Sequence, residues 1–181
     1  MAAKTLELGC GNRKTPGAIG VDINPNSQAD VVHDLDVFPY PFSDNEFDLI
    51  ICRDILEHVV DFVRTVEEIW RIARPSARVE VNGPFMSSVN YFSDPTHRRA
   101  FTSHSFDYFV PGSAMHEYRY SKATFRLISV EYDRDQIPYR SGIHRRLLEW
   151  ANRNKDTYER RYAFIYPLYS IAFELEAVKP S

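Results

Sequence analysis

The sequence has 181 residues, a length that suits one α/β domain with a full core. Its apolar fraction of 44% is typical of a folded globular protein, and its net charge of −3 argues against a protein that binds nucleic acid by neutralising phosphates. No run approaches the ~18 apolar residues of a membrane span and the N-terminus lacks a signal-peptide core, so we expect a cytoplasmic protein.

The first half of the sequence predicts a parallel sheet. Four short, nearly continuous apolar runs are predicted strands: Thr5–Cys10, Ala18–Ile23, Ala29–Val32 and Phe47–Cys52. Apolar residues at helical spacing predict an amphipathic helix between Asp61 and Arg74, which returns the chain to a fifth strand at Arg78–Val81. This strand, helix, strand order implies a right-handed parallel unit and a doubly wound α/β sheet.

The second half is less regular. Residues 84–115 are rich in aromatic and polar side chains, too long for an ordinary connection, and predict a functional loop or lid with short helical turns. A strand is predicted at Phe125–Tyr132, a helix at Ile143–Arg161 and a closing strand at Ser170–Val178. We expect a single domain over residues 1–181, in which residues 134–169 are inserted before the last strand.

A glycine-containing loop follows the first strand directly, in the segment Glu7-Leu8-Gly9-Cys10-Gly11. Because Gly9 and Gly11 carry no Cβ, the backbone there can approach a ligand closely. The dinucleotide fingerprint would place a third glycine at position 14, where Lys14 stands, so a nicotinamide or flavin enzyme is disfavoured. Cys10 and Cys52 fall at the ends of predicted strands, which favours packing over disulfide or metal duty.

Two acidic residues follow the next strands. Asp22 ends the second strand, where a carboxylate can accept hydrogen bonds from both ribose hydroxyls. Asp34 ends the third strand, where it could accept from an adenine amino group while the Leu35 amide meets a ring nitrogen. Asp34 could instead be a helix cap or a turn residue.

Five segments in this order and spacing resemble the class I S-adenosylmethionine-dependent methyltransferases over residues 4–110: Glu7–Gly11, Gly20–Asp22, Asp34–Leu35, Phe47–Ile50 and Leu56–His58. The resemblance implies S-adenosylmethionine as cofactor and a Rossmann-like, seven-stranded, mostly parallel sheet with an antiparallel last strand. It places Gly9 and Gly11 near the methionine moiety, Asp22 at the ribose, and Asp34 with Leu35 at the adenine. The full predicted cofactor set is Glu7, Leu8, Gly9, Gly11, Lys14, Asp22, Ile23, Asp34, Leu35 and Arg53.

Two further segments, Gly9–Gly17 and Asp94–Thr102, resemble a type 11-like subgroup of these enzymes from bacteria and archaea. That resemblance implies a small-molecule or carbohydrate-like acceptor. The usual Lys-Pro-Gly-Gly turn before strand five is replaced by Arg74-Pro75-Ser76-Ala77, so the backbone there must manage without glycine and could rearrange locally. Only four residues precede the first strand, where relatives carry covering helices, so we expect another segment or a second copy of the chain to cover the cofactor.

Methyl transfer from a sulfonium is an in-line displacement, in which positioning and exclusion of water supply most of the acceleration. For a hydroxyl acceptor, His97 is the first candidate to remove the proton and His58 the second. Either could instead be structural, His97 by bonding Asp94 or a backbone carbonyl and His58 by capping or packing. No pattern of metal ligands stands out in the sequence.

The predicted acceptor-binding residues lie in the long loop, and they are Tyr91, Asp94, Arg98 and Phe101. Arg98, with Arg99, could clamp a carboxylate or phosphate, although exposed arginine pairs are usually solvated. The aromatic side chains could equally form the loop's own small core. Two other functions stay open: a methyltransferase-like binding or scaffold subunit without catalysis, and an RNA methyltransferase, which the acidic balance disfavours.

Overall fold

The protein is described by a computed structural model that covers residues 3–134 and 142–179. Seven strands form one sheet in the order β3-β2-β1-β4-β5-β7-β6. Their bounds are β1 Thr5–Leu8, β2 Ile19–Asp22, β3 Val31–Val32, β4 Phe47–Arg53, β5 Ala73–Pro84, β6 Phe125–Tyr132 and β7 Ser170–Ala177. Strands β1 to β5 pair in parallel, and β7 runs antiparallel to both β5 and β6. The predicted fold class is confirmed.

Helix α1, Phe62–Ile72, forms the crossover between β4 and β5. Asp61 caps its N-terminus, because its side chain accepts a hydrogen bond from the Arg64 amide. The buried stripe of α1 consists of Thr65, Val66, Ile69 and Ile72, which is the spacing that the sequence predicts. The helix ends at Ile72 because Ala73 is already extended and begins β5.

The sheet has two different faces. Alternate strand residues bury one apolar face in the core with α1, among them Leu6, Leu8, Ile50, Cys52, Val79, Val81, Phe173 and Leu175. The opposite face carries ion pairs between neighbouring strands, Arg78–Glu174 at 2.6 Å and Arg126–Glu176 at 2.8 Å. In the structure, the connections β1–β2, β2–β3 and β3–β4 contain no helix, so helical cover in this half comes from α1. Burial on both faces, which the apolar runs predict, is therefore only partly realised.

The second half differs from the prediction in one helix. The helix predicted over Ile143–Arg161 is divided into α3, Gly142–Arg153, and α4, Lys155–Arg161, because Asn154 leaves the helical region at φ −127° and ψ 48°. The break lets Tyr158 of α4 pack against Phe85 and Tyr132, with ring centroids 5.8 and 5.2 Å apart. Residues 135–141 of the predicted insertion lie outside the described residues.

The segment Arg74–Ala77 lies inside β5, which begins at Ala73. Ser76 stands where the usual turn has its first glycine, and it adopts a left-handed φ of 63°. The long segment after Pro84 contains a short helix α2, Val89–Ser93, and single 3-10 turns at Asp107–Phe109 and His116–Tyr118. These are the predicted short helical turns.

Cys10 and Cys52 are both buried and free. This agrees with a packing role for both thiols. Within the described ranges, no helix is both long and apolar enough to cross a membrane.

His104 links the long loop to α4 through two carboxylates. Its Nδ1 lies 2.8 Å from Asp107 and its Nε2 lies 2.9 Å from Asp156. The hydrogen bond to Asp156, followed by that to Asp107, raises the pKa of His104. A raised pKa stabilises the fold below the ordinary value of about 6.5, and this stabilisation is lost as the pH rises through the folded-state value.

We therefore expect the melting temperature of His104→Gln to fall below that of the wild type near pH 6, and the gap to narrow as the pH rises. The gap should be small, because more than half of the His104 side chain is exposed. Circular dichroism melts at stepped pH measure it. The control is His116→Gln, whose parent ring bonds the Tyr108 carbonyl instead of a carboxylate. A gap that is constant with pH would contradict the ion-pair account.

Candidate cofactor site

A cavity of about 200 Å³ lies at the carboxyl ends of the parallel strands, the edge where open α/β sheets bind ligands. Its lining is Gly9, Asp22, Ile23, His33, Asp34, Leu35, Asp36, Ile55, His58 and Val59. The structure thus brings together six residues that the sequence singles out: Gly9, Asp22, Ile23, Asp34, Leu35 and His58. Asp36 could have been found from its place beside Asp34, whereas Ile55 carries no motif and reaches the cavity only through the loop after β4.

The glycine loop has the backbone geometry that requires glycine. Gly9 and Gly11 adopt left-handed φ angles of 67° and 51°. A Cβ on Gly9 would lie 2.4 Å from Cγ1 of Ile55, so no larger residue fits between the loop and that side chain. The Gly11 amide donates to Oδ2 of Asp22 at 2.8 Å, which fixes the loop against the end of β2.

Both acidic candidates are held by backbone amides. The Asp22 Oδ1 atom accepts from the Asn24 amide at 2.9 Å, and the Asp34 Oδ1 atom accepts from the Asp36 amide at 2.9 Å. Each carboxylate oxygen has two lone pairs, so both side chains keep capacity to accept from a ligand. Asp34 therefore has the turn contact that the sequence left open, and it also faces the cavity.

Three predicted cofactor residues brace the loop from outside the cavity wall. The Thr15 amide donates to Glu7 at 2.5 Å, and Arg53 lies 3.2 Å from Glu7 and 3.0 Å from the Thr15 hydroxyl. Lys14 pairs with Asp30 at 2.7 Å. These bonds stabilise the shape of the loop, and direct cofactor contacts of Glu7, Lys14 and Arg53 stay predictions. Leu8 is fully buried, so only its backbone can meet a ligand.

The two candidate catalytic histidines lie next to each other at the cavity's edge. The ring centroids of His58 and His97 are 4.8 Å apart, and His97 Nε2 lies 4.0 Å from Glu57 and 3.9 Å from Asp94. Burial raises the pKa of the Glu57 carboxyl to about 8, and burial together with the nearby His97 lowers the pKa of His58. His97 Nδ1 lies 3.1 Å from the Tyr91 carbonyl, the backbone contact that the sequence left open.

The arginine pair anchors the segment that carries His97. Arg98 Nε donates to the His58 carbonyl at 3.2 Å, and Arg99 Nη1 donates to the carbonyls of Leu56 and Val59 at 2.8 and 2.6 Å. The Arg99 guanidinium thus donates to backbone carbonyls of the loop after β4 and not toward an acceptor. Arg98 is exposed and keeps other donors.

Of the two aromatic acceptor-binding candidates, Phe101 lies in the core and Tyr91 is partly exposed. Phe101 is 1% exposed and packs against Phe62 and Phe173, so its ring belongs to the core and offers no surface to an acceptor. Tyr91 stacks on His97 with centroids 6.0 Å apart. Its neighbour Phe92, which the sequence analysis missed, is 70% exposed and 5.0 Å from Tyr91. An apolar ring left in solvent beside polar groups is the signal that identifies it, and only the structure supplies that signal.

The comparisons with known proteins agree with this site. A family model described as a methyltransferase domain matches residues 6–81, which include most of β1, all of β2 to β4 and α1, and most of β5. The matched segment, about two fifths of the chain, is similar to this methyltransferase family. The glycine and acidic residues that line the cavity agree with the expected S-adenosylmethionine cofactor. A search of curated proteins finds no match.

Solved structures of methyltransferases share the fold. A SAM-dependent methyltransferase from Archaeoglobus fulgidus superposes with a TM-score of 0.59 at 16% identity, over 97% of this chain and 86% of that one. A putative sarcosine dimethylglycine methyltransferase from Galdieria sulphuraria gives 0.58 at 13% identity, over 96% and 78%. Haemonchus contortus phosphoethanolamine N-methyltransferase 2 with S-adenosyl-L-methionine gives 0.59 at 15%, over 100% and 49%. Identities this low establish the fold alone.

The Asp22 carboxylate gives a direct test of the cofactor site. In Asp22→Asn, the amide nitrogen cannot accept from the Gly11 amide or from a ribose hydroxyl. Losing one charge-assisted hydrogen bond costs about 1.5–3 kcal/mol, so we expect S-adenosylmethionine and S-adenosylhomocysteine to bind about 10- to 100-fold more weakly. Isothermal titration calorimetry measures both affinities. Glu117→Gln removes a charge from an exposed surface turn and should leave them unchanged. Equal affinity of Asp22→Asn and the wild type would remove Asp22 from the site.

Proposed function

We propose that this protein is a methyltransferase that transfers the methyl group of S-adenosylmethionine to a hydroxyl or amine of a small or carbohydrate-like acceptor. The observation that carries this proposal is the polar cluster of Glu57, His58, Asp94 and His97 at the edge of the cofactor cavity. His58 lies on the cavity wall, and His97 lies beside it in a segment fixed by Arg98 and Arg99. An acceptor that reaches the methyl group from this side meets these groups.

His97 is the residue that we assign to the acceptor's proton. A carbonyl oxygen can only accept, so the contact with the Tyr91 carbonyl requires the proton on Nδ1 and leaves the lone pair on Nε2. In the proposed step, Nε2 takes the acceptor's proton while the acceptor oxygen or nitrogen bonds to the methyl carbon. The carbon–sulfur bond breaks, and S-adenosylhomocysteine leaves. His58 is the second candidate for this role.

The aromatic surface beside His97 supports a carbohydrate-like acceptor. Phe92 stands in solvent next to Tyr91, and Tyr91 stacks on His97. A flat aromatic face can pack against the apolar face of a sugar ring, while carboxylates such as Asp94 accept from its hydroxyl groups. The net charge of −3 favours such an acceptor over RNA, because RNA binding needs positive charge. The free thiols of Cys10 and Cys52 are compatible with the cytoplasm.

The role of His97 is tested by turnover. Purified protein is screened with sugars, nucleotide sugars and small hydroxylated or aminated metabolites for release of S-adenosylhomocysteine. Loss of a general base costs about 10²- to 10⁴-fold, so His97→Ala should lower kcat by at least about 100-fold with unchanged cofactor affinity. His116→Ala is the control, because that ring also bonds a backbone carbonyl but lies in a different turn. Full turnover by His97→Ala would remove His97 from the mechanism.

The acceptor surface is tested separately. Phe92→Ala removes an exposed ring, so we expect a rise of about 10-fold in the KM for the acceptor and no change in cofactor affinity, since stacking of this kind contributes about 1–1.5 kcal/mol. Phe164→Ala is the matched control, because Phe164 is 69% exposed on a turn after α4. An unchanged KM for Phe92→Ala would place the acceptor elsewhere.

A second candidate function is favoured by the ion-paired face of the sheet. Parallel strands are normally covered on both sides, whereas the connections β1–β2, β2–β3 and β3–β4 contain no helix. On the antiparallel side of the sheet, the Arg78–Glu174 and Arg126–Glu176 pairs lie partly exposed. Such a face suits a partner or a second copy of the chain, in which case the protein acts as a binding subunit. Light scattering with and without cofactor, beside the turnover screen, distinguishes a monomeric enzyme from an assembled or inactive subunit.

A further inference from the structure

The histidine pair and the buried glutamate form a donor set of the kind that binds metal ions. One donor atom from each of Glu57, His58 and His97 lies within 4.8 Å of the other two. Among the residues that the structure describes, this is the one group of histidine, cysteine and acidic side chains with that property. Sequence analysis found no metal pattern, because Glu57 and His58 lie in one loop and His97 comes from another, 39 positions after His58.

The hydrogen bonds around both histidine rings engage Nδ1 and leave Nε2 with its lone pair. His97 Nδ1 lies 3.1 Å from the Tyr91 carbonyl, which can only accept, so Nδ1 carries the proton and Nε2 the lone pair. Thr96 donates its hydroxyl hydrogen to Asp94 at 2.6 Å, so it accepts from His58 Nδ1 at 2.9 Å and leaves His58 Nε2 with the lone pair. Ligating histidines in proteins are held in this way, by an outer partner on the second nitrogen.

One oxygen of the buried Glu57 carboxyl group has no hydrogen-bond partner among the described residues. The residue is 1% exposed, and this oxygen is Oε2. The nearby Arg99 directs Nη1 to the backbone carbonyls of Leu56 and Val59. A buried carboxylate is costly unless it is paired, hydrogen-bonded or bound to a metal. Asp94 lies 3.9 Å from His97 Nε2, so a second carboxyl group stands beside the three donor side chains.

We propose that Glu57, His58 and His97 bind a divalent transition-metal ion, of the zinc or iron(II) class, at the edge of the cofactor cavity. Two imidazole nitrogens and one carboxylate are the donor set of catalytic zinc and of non-haem iron sites, which keep open positions for other ligands. Bonds of about 2.0–2.2 Å place tetrahedral ligand atoms about 3.4 Å apart, so binding draws the three side chains closer than they now stand.

The role of the ion rests on the proposed function, whereas its binding does not. An acceptor hydroxyl bound to the ion loses its proton more easily, and that proton passes to solvent while the oxygen attacks the methyl group. In this form His97 is a ligand and not a base. A chelator that abolishes turnover supports the ion's role, and turnover that survives complete metal removal leaves His97 as the base and overturns that role.

Metal binding is tested directly, without turnover. The full chain is stripped with a chelator and titrated with Zn²⁺ by calorimetry, and with Co²⁺ by visible absorption as a report on ligand geometry. We expect one ion per chain in the wild type and in His116→Ala, and at least 10-fold weaker binding in His58→Ala and His97→Ala. Glu57→Gln keeps the shape of the side chain, removes its charge and should weaken binding similarly.

Two controls distinguish the absence of a metal site from loss of the fold or of the cofactor site. Melting curves and S-adenosylmethionine binding by each stripped variant establish that its fold and cofactor site are intact, which also tests the proposed function independently. Absence of saturable Zn²⁺ binding by a folded wild type would overturn the inference. Equal Zn²⁺ affinity of the wild type and His97→Ala would do so as well.

Discussion

The cofactor cavity depends on one hydrogen bond, from the Gly11 amide to the Asp22 carboxylate at 2.8 Å. It joins the loop after β1 to the end of β2, and it holds Gly9 at the left-handed φ that brings the backbone against Ile55. The connection between these strands contains no helix, so side chains stabilise it instead: Glu7 on the Thr15 amide, and Lys14 on Asp30. These contacts fix the shape of a short loop that has glycine at two left-handed positions.

The second constraint is the docking of residues 94–99 on the loop after β4. Arg98 and Arg99 donate to backbone carbonyls of that loop, and the Arg98 amide donates to the Glu57 carbonyl at 2.9 Å. These bonds satisfy carbonyls that would otherwise lie unpaired at the edge of the core. They also set His97 beside His58, so both arginines position the catalytic candidates.

The two faces of the sheet differ because the connections between β1 and β4 contain no helix. With helical cover supplied by α1 on the apolar side, the other side can only be stable if it is polar, and strand residues there form ion pairs across β5, β6 and β7. Charged and apolar residues alternate along β7, as expected for a strand that is buried on one side only. The cofactor loop is braced on this side by Glu7 and Arg53, and the cavity opens at the carboxyl ends of the strands.

The sequence by itself determined the strand and helix order, the sheet class and three residues that line the cavity, Gly9, Asp22 and Asp34. These features depend on local periodicity and on motifs that follow each strand. The break at Asn154 and the packing of Phe101 against the sheet, instead of within the loop's own core, escaped it. Each depends on contacts between distant segments: α4 against β6, and the long loop against Gly83. The proximity of Glu57, His58 and His97 was also decided only by tertiary structure. Two loops far apart in sequence meet there through arginine side chains bonded to backbone carbonyls, and no local pattern encodes such a meeting.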